Sequence, residues 1–255
     1  MSGMDRQILK VCTLTGALLS VLYGCGVLLF ARMIPVNSPL RSATEVVGEY
    51  QAHETGIRVG MALVMFGGAM MLTWGAALAT LTRRAAPRHP ILFHIQMAAA
   101  VTAGMNGVML CLTGALASFR AGEVSEEITL VLNDLFWLLW VFPGATFEIW
   151  CIAAGTAILL DGRDRPVFPR WSGYFSLLVA FSFLPGFLGI FAKEGVLAYN
   201  GLLPWWIPTV LFFLWVTVMD PLMHRAIRDE AWLVEDLVHS DASSLDTSSA
   251  QRAGA

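Results

Sequence analysis

Six predominantly apolar runs of about twenty residues or more decide what this chain can become, because that length at 1.5 Å per residue spans the hydrocarbon of a bilayer. They fall at about 9–31, 56–81, 91–118, 133–160, 171–192 and 205–227. Polar punctuation separates them. Ile34-Pro35-Val36-Asn37-Ser38-Pro39 follows the first, and Thr82-Arg83-Arg84 with Pro87 and Pro90 follows the second. Asp161-Gly162-Arg163-Asp164-Arg165-Pro166 closes the fourth, and Lys193-Glu194-Gly195 closes the fifth. A spanning β-barrel would alternate apolar and polar residues along each strand. Continuous runs such as Leu211-Phe212-Phe213-Leu214-Trp215-Val216 do not. The sequence therefore predicts an all-α polytopic membrane bundle of six transmembrane helices. Pro143-Gly144, inside the fourth run, predicts either a kinked helix or two half-helices.

Composition agrees where it bears on partners. Only 14% of the residues are charged against 56% hydrophobic, whereas soluble domains run near a quarter charged, roughly. Such a surface is not covered in water, so the first partner is the lipid bilayer. A net charge of -3 without a basic stripe excludes nucleic acid. Cys12, Cys25, Cys111 and Cys151 all lie in apolar runs without CxxC spacing, and read as buried thiols. The first run is too long for a signal-peptide core and is read as a retained helix.

Lys and Arg set the orientation. Six spans place both chain ends on one side. That side holds Arg6, Lys10, Arg83, Arg84, Arg88, Arg163, Arg165, Arg170, Arg225, Arg228 and Arg252, and the other holds Arg32, Arg41, Arg58, Arg120 and Lys193. Both termini are expected in the cytoplasm. Trp171 and Tyr174 are expected to anchor one interface, and Tyr199, Trp205 and Trp206 the other. The bundle covers 1–228, with an extramembrane segment at 33–55 in which Ser42-Ala43-Thr44-Glu45 has the pattern of a helix capping box. A cytoplasmic tail covers 229–255 and is expected to be disordered from about 239, where Ser, Ala, Asp and Thr leave little to bury.

Polar groups at membrane depth carry the candidate chemistry, since each is costly unless it is paired or functional. Glu148, beside Phe147 and Trp150 in the fourth run, is expected to be protonated, hydrogen-bonded or facing a wet cavity. Asp220 and His224 share a helical face near the end of the sixth run. Asn106 lies near the middle of the third run and His94 near its start. If the third, fourth and sixth helices are neighbours, these residues form two polar layers opening toward the cytoplasm. In the bland alternative, Glu148 bonds Asn106 and Asp220 pairs with His224 or a terminal Arg. Trp137, Trp140, Phe147 and Trp150 form a stripe that either packs or lines an apolar pocket beside Glu148. Gly56-x-x-x-Gly60, Gly67-Gly68, Ala100-x-x-x-Gly104 and Ala103-x-x-x-Gly107 are read as surfaces of close helix approach, within the bundle or in a dimer seam.

Other chemistries lack their residues. The acid–His pairs Asp220-x-x-x-His224 and Glu49-x-x-x-His53 have helical ligand spacing but no dense His or Cys content, so no metal site is predicted. Neither a phosphate loop nor a Gly-x-Ser-x-Gly elbow occurs, and no deep Lys offers a Schiff base. No cofactor is expected.

Four phrases carry a resemblance: Gly56-Ile57-Arg58-Val59-Gly60-Met61, Leu132-Asn133-Asp134-Leu135-Phe136-Trp137, Pro166-Val167-Phe168-Pro169-Arg170-Trp171, and Ala198-Tyr199-Asn200-Gly201-Leu202-Leu203-Pro204-Trp205-Trp206. Through them the chain resembles a family of small six-helix bacterial inner-membrane proteins, of actinobacterial type. The resemblance implies the membrane fold and carries no activity and no catalytic residue. Three function classes stand open. The first is binding or transport of a small hydrophobic molecule, or membership of a membrane complex or homo-oligomer. The second is an integral-membrane enzyme with Glu148 or Asp220 as general acid. The third is a structural or assembly factor. A cavity touching Glu148 or Asp220 would favour the first two.

Overall fold

A computed structural model describes residues 3–229, so the expected tail lies outside the described residues. All regular structure among the described residues is helical, and six segments are long and apolar enough to cross a membrane. The first is α1 (Gly3–Gly24), continued by a π turn at Cys25–Phe30. A short helix, α2 (Ala43–Ala52), lies between it and α3 (Glu54–Ala85). Next come α4 (Pro90–Arg120), the pair α5 (Glu126–Val141) and α6 (Gly144–Leu159), α7 (Arg170–Ser182) and α8 (Ile207–Arg228). Proline writes many of the boundaries. Pro90 occupies a first turn, where the missing N–H has no helical partner in any case, Pro208 stands at the start of α8, and Pro169 precedes α7.

The fourth span is two helices in line, separated only by Phe142-Pro143. The fifth breaks at the same depth, where α7 passes into a 3-10 segment over Leu184–Ile190. A π turn at Leu202–Trp206 leads into α8.

The end of the bundle carrying Gly3 and Arg228 is called the terminal face, and the end carrying α2 the distal face. Arg6 Nε donates to Ile227 C=O at 3.1 Å, which brings both chain ends to the terminal face. There α1 and α8 touch, while α3 packs between α1 and α4, and α6 between α4 and α7. The glycines of α3 make these approaches inside one molecule. Gly60 lies against the backbone of Gly26, and Gly68 against that of Gly107. The small-residue surfaces are thus used within the bundle, and a dimer seam is not needed to account for them.

On the distal face the capping box forms as expected. Ser42 Oγ accepts from Glu45 N–H, and the Glu45 carboxylate accepts from Ser42 N–H at 2.8 Å, holding that carboxyl below its ordinary range. Glu49 is held by Arg41 and by Asn37 Nδ2 at 3.1 Å, and Tyr50 donates to Asn133 Oδ1 at 3.4 Å. Trp171 and Tyr174 are exposed, as interfacial anchors should be. Tyr199 and Trp205 are not: both are buried, Tyr199 stacking on Trp137, because the turns over 195–206 pack against the Leu184–Ile190 segment and α5.

Candidate intramembrane cavity

The site begins with a missing hydrogen. Pro143 has no N–H, so the carbonyl of Leu139, one turn earlier, loses its helical partner. In hydrocarbon an orphaned carbonyl costs roughly several kcal/mol. Asn106 Nδ2 from α4 donates to it at 3.1 Å. The expected bond from Asn106 to Glu148 is therefore absent, since the amide serves the backbone break. Gly186 of the fifth span lies against the Val141 carbonyl, so the two breaks abut. Broken helices cannot interdigitate side chains as continuous ones do, and space is left between them.

That space has two compartments. A central recess of about 60 Å³ is walled by Tyr23, Asn106, Trp140, Phe147, Phe183 and Phe212, among others. A crevice of about 220 Å³ lies between α1 and α8, walled by Ser20, Gly24, Leu28, Trp140, Trp205 and Phe213, among others. Tyr23, Trp140, Thr209 and Phe213 belong to both. Leu28, on the lip of the crevice, is exposed on the lipid-facing surface. Toward the terminal face α1 and α8 are tied by Arg6–Ile227, by Thr13–His224 and by the packing of Gly16 on Asp220, and beside the crevice they meet through the rings of Tyr23 and Phe213, 5.5 Å apart.

Few groups in these walls are polar. Thr209 Oγ1 accepts the Trp140 indole N–H at 3.2 Å. The Tyr23 hydroxyl sits where Gly68 and Gly107 leave room, and makes no hydrogen bond among the described residues. Asn106 retains its carbonyl oxygen after bonding Leu139. Among the described residues, no Asp, Glu, Lys, Arg or His lines either compartment.

Below the recess, toward the terminal face, the core closes. Trp74, Trp150 and Trp215 meet edge to face, with centroids 5.2–6.0 Å apart. Trp215 Nε1 donates to Ser176 Oγ at 2.9 Å, and Trp74 Nε1 donates to Asp220 Oδ1. The Asp220 carboxylate reaches Trp74 across Gly16; a Cβ there would collide with both groups. His224 Nδ1 lies 2.9 Å from Asp220 C=O, which can only accept, so Nδ1 carries a proton. Its Nε2 is 3.1 Å from Thr13 Oγ1. Asp220 and His224 line an open groove on the terminal face with Arg225 and Arg228.

The expected polar layers do not assemble. The sixth span packs on the first and fifth, not beside the third. His94 is exposed next to Phe93. Glu148 is half-buried and makes no hydrogen bond or ion pair among the described residues; by helical register it shares the α7-facing side with Gly144 and Gly155. The aromatic stripe divides. Trp140 and Phe147 line the recess, whereas Trp137 and Trp150 are fully buried core. Tyr23, Thr209 and Trp74 were not singled out by the sequence. Tyr23 had a usable signal, being a phenol well inside a span. Among the described residues no three His, Cys, Asp or Glu side chains come together, and the Glu49 carboxylate faces Arg41 and Asn37 rather than His53. No family model, curated protein or solved structure matches the chain.

Proposed function

We propose that this protein binds a small, uncharged, largely apolar molecule inside the distal half of its bundle, taken up from the bilayer between the first and sixth spans. The observation that carries this reading is the crevice of about 220 Å³ with its lip among lipid-facing residues. A dry apolar cavity of about 150 Å³ is enough to hold a benzene ring, so this crevice takes a short alkyl or isoprenoid length. Its walls are aromatic, and a charged ligand would find no counter-charge in them. Glu148 and Asp220 lie outside both compartments, so an acid-catalysed reaction in the cavity lacks its acid. Carriage of the molecule, as a transporter or as a subunit of a membrane complex, is the role this binding fits. The arginine excess on the terminal face supports a cytoplasmic position for that face in a bacterial inner membrane.

The test uses Gly24, which lines the crevice and whose added Cβ would meet nothing within 4 Å. Purified protein is extracted with organic solvent and the extract is read by mass spectrometry. Wild type is expected to yield a stoichiometric apolar molecule that Gly24→Leu does not retain. Equal yields from both proteins would overturn the reading.

A further inference from the structure

The two compartments differ in a way that names the ligand more closely, an inference that rests on the binding reading above. The crevice wall is mostly carbon, from Val27, Leu28, Ile34 and Phe213 with the ring of Trp205, and the Ser20 hydroxyl in it is turned back to Gly16 C=O of its own helix. The recess is much smaller, about 60 Å³, and carries the Asn106 carbonyl oxygen, with Tyr23 and Thr209 at its seam with the crevice. Tyr23 is buried, with 6% of its surface exposed, and its hydroxyl has no partner among the described residues. The hydroxyl opens on the recess, so its hydrogen-bonding capacity is available to a guest there. Asn106 Oδ1 accepts, Thr209 Oγ1 accepts from Trp140 and keeps its own proton to give, and Tyr23 can do either. Together they complement one oxygen that both donates and accepts.

We propose that the ligand is a single-chain molecule with a neutral hydroxyl head, seated head-in: the oxygen in the recess at Tyr23 and Asn106, the chain bent past Thr209 into the crevice and toward the bilayer. A carboxylate head is disfavoured, because the recess holds no cation. A bare alkane would fill the crevice and leave Tyr23 unbonded.

Bromine at the chain end provides the probe. In the head-in pose it lies in the crevice beside Trp205 and quenches its fluorescence. The purified protein in detergent is titrated with 8-bromo-1-octanol, 1-bromooctane and 8-bromooctanoate, and the saturable quenching lost in Trp205→Phe is followed. One good hydrogen bond is worth about a fivefold to tenfold preference, so the alcohol is expected to bind that much more tightly than the bromoalkane and the carboxylate most weakly. Tyr23→Phe should erase the alcohol's advantage and leave bromoalkane binding alone. Equal binding of alcohol and alkane, unchanged in Tyr23→Phe, would overturn the head-in assignment while leaving an apolar site. If no probe gives saturable quenching and Gly24→Leu behaves as wild type, the binding reading itself fails.

Discussion

The two halves of this bundle are built from the same residue types and reach opposite results. In the terminal half, helices approach at small residues, and Trp74, Trp150 and Trp215 interlock edge to face in the core. In the distal half, Trp137, Trp140 and Trp205 also touch, with centroids 5.8–6.4 Å apart, yet two compartments remain beside them. Aromatic content is not the variable. Helix continuity is: close packing needs ridges and grooves that run unbroken past one another, and the distal half interrupts them at Phe142-Pro143, at Leu184–Ile190 and at Leu202–Trp206.

Two glycines eight residues apart on α1 give the sharpest way to break that comparison. Gly16→Leu drives a side chain into Trp74 and Asp220. Overpacking of this kind typically costs about 1–3 kcal/mol or more, and the folded fraction in detergent, read by thermal melting, is expected to collapse. Gly24→Leu adds the same atoms to open space and removes a helical glycine, which costs about 1 kcal/mol relative to Ala. Its melting temperature should hold or rise. Equal destabilisation by both would mean that the distal half is as tightly closed as the terminal one.

The helix break is tested next. Asn106→Leu keeps the volume and leaves the Leu139 carbonyl without its donor, at a cost of about 1–3 kcal/mol. Pro143→Ala restores an N–H at that turn, so Asn106→Leu should be far milder in the Pro143→Ala background. A purely additive double mutant would show that Asn106 stabilises through packing instead.

Legibility in the sequence follows the range of the interactions. Six spans and the Ser42–Glu45 cap depend on residues within one segment, and periodicity and spacing announce them. Asn106 was visible as a buried amide, but its partner is a backbone atom created by a proline 37 positions on. Asp220 was visible too, while its indole partner lies 146 residues away. Which helices touch is decided by where glycines fall on several faces at once, and a single sequence does not rank those pairings. Thr209 went unnoticed because threonine hydroxyls inside spans so often bond the preceding turn, as Thr80 and Thr102 do here.

Smaller effects sharpen the boundaries of the site. Glu148→Gln changes a side chain outside both compartments, so probe binding should shift by less than about twofold, well under one hydrogen bond. A large loss would bring Glu148 back into the site. Smallest of all is the response of the α2 cap to acid. The folded Glu45 carboxyl is held below its ordinary range, so its contribution is complete above the unfolded value and is lost as pH falls through the lowered folded one. Protection of the first-turn amides of α2, taken as exchange relative to the intrinsic rate at each pH, should fall on acidification, and in Glu45→Gln it should lose that dependence.

The clasp of Asp220 across Gly16 onto Trp74 also has a meaning in descent. Three positions on three helices answer to one contact: a side chain at 16 evicts the carboxylate, loss of the acid strands the indole, and loss of the indole strands the acid. Drift at any one of them is viable only alongside a matching change at the others. In a lineage carrying this fold, positions 16, 74 and 220 should therefore be inherited as a unit, while the walls of the crevice remain free to diverge with the molecule they hold.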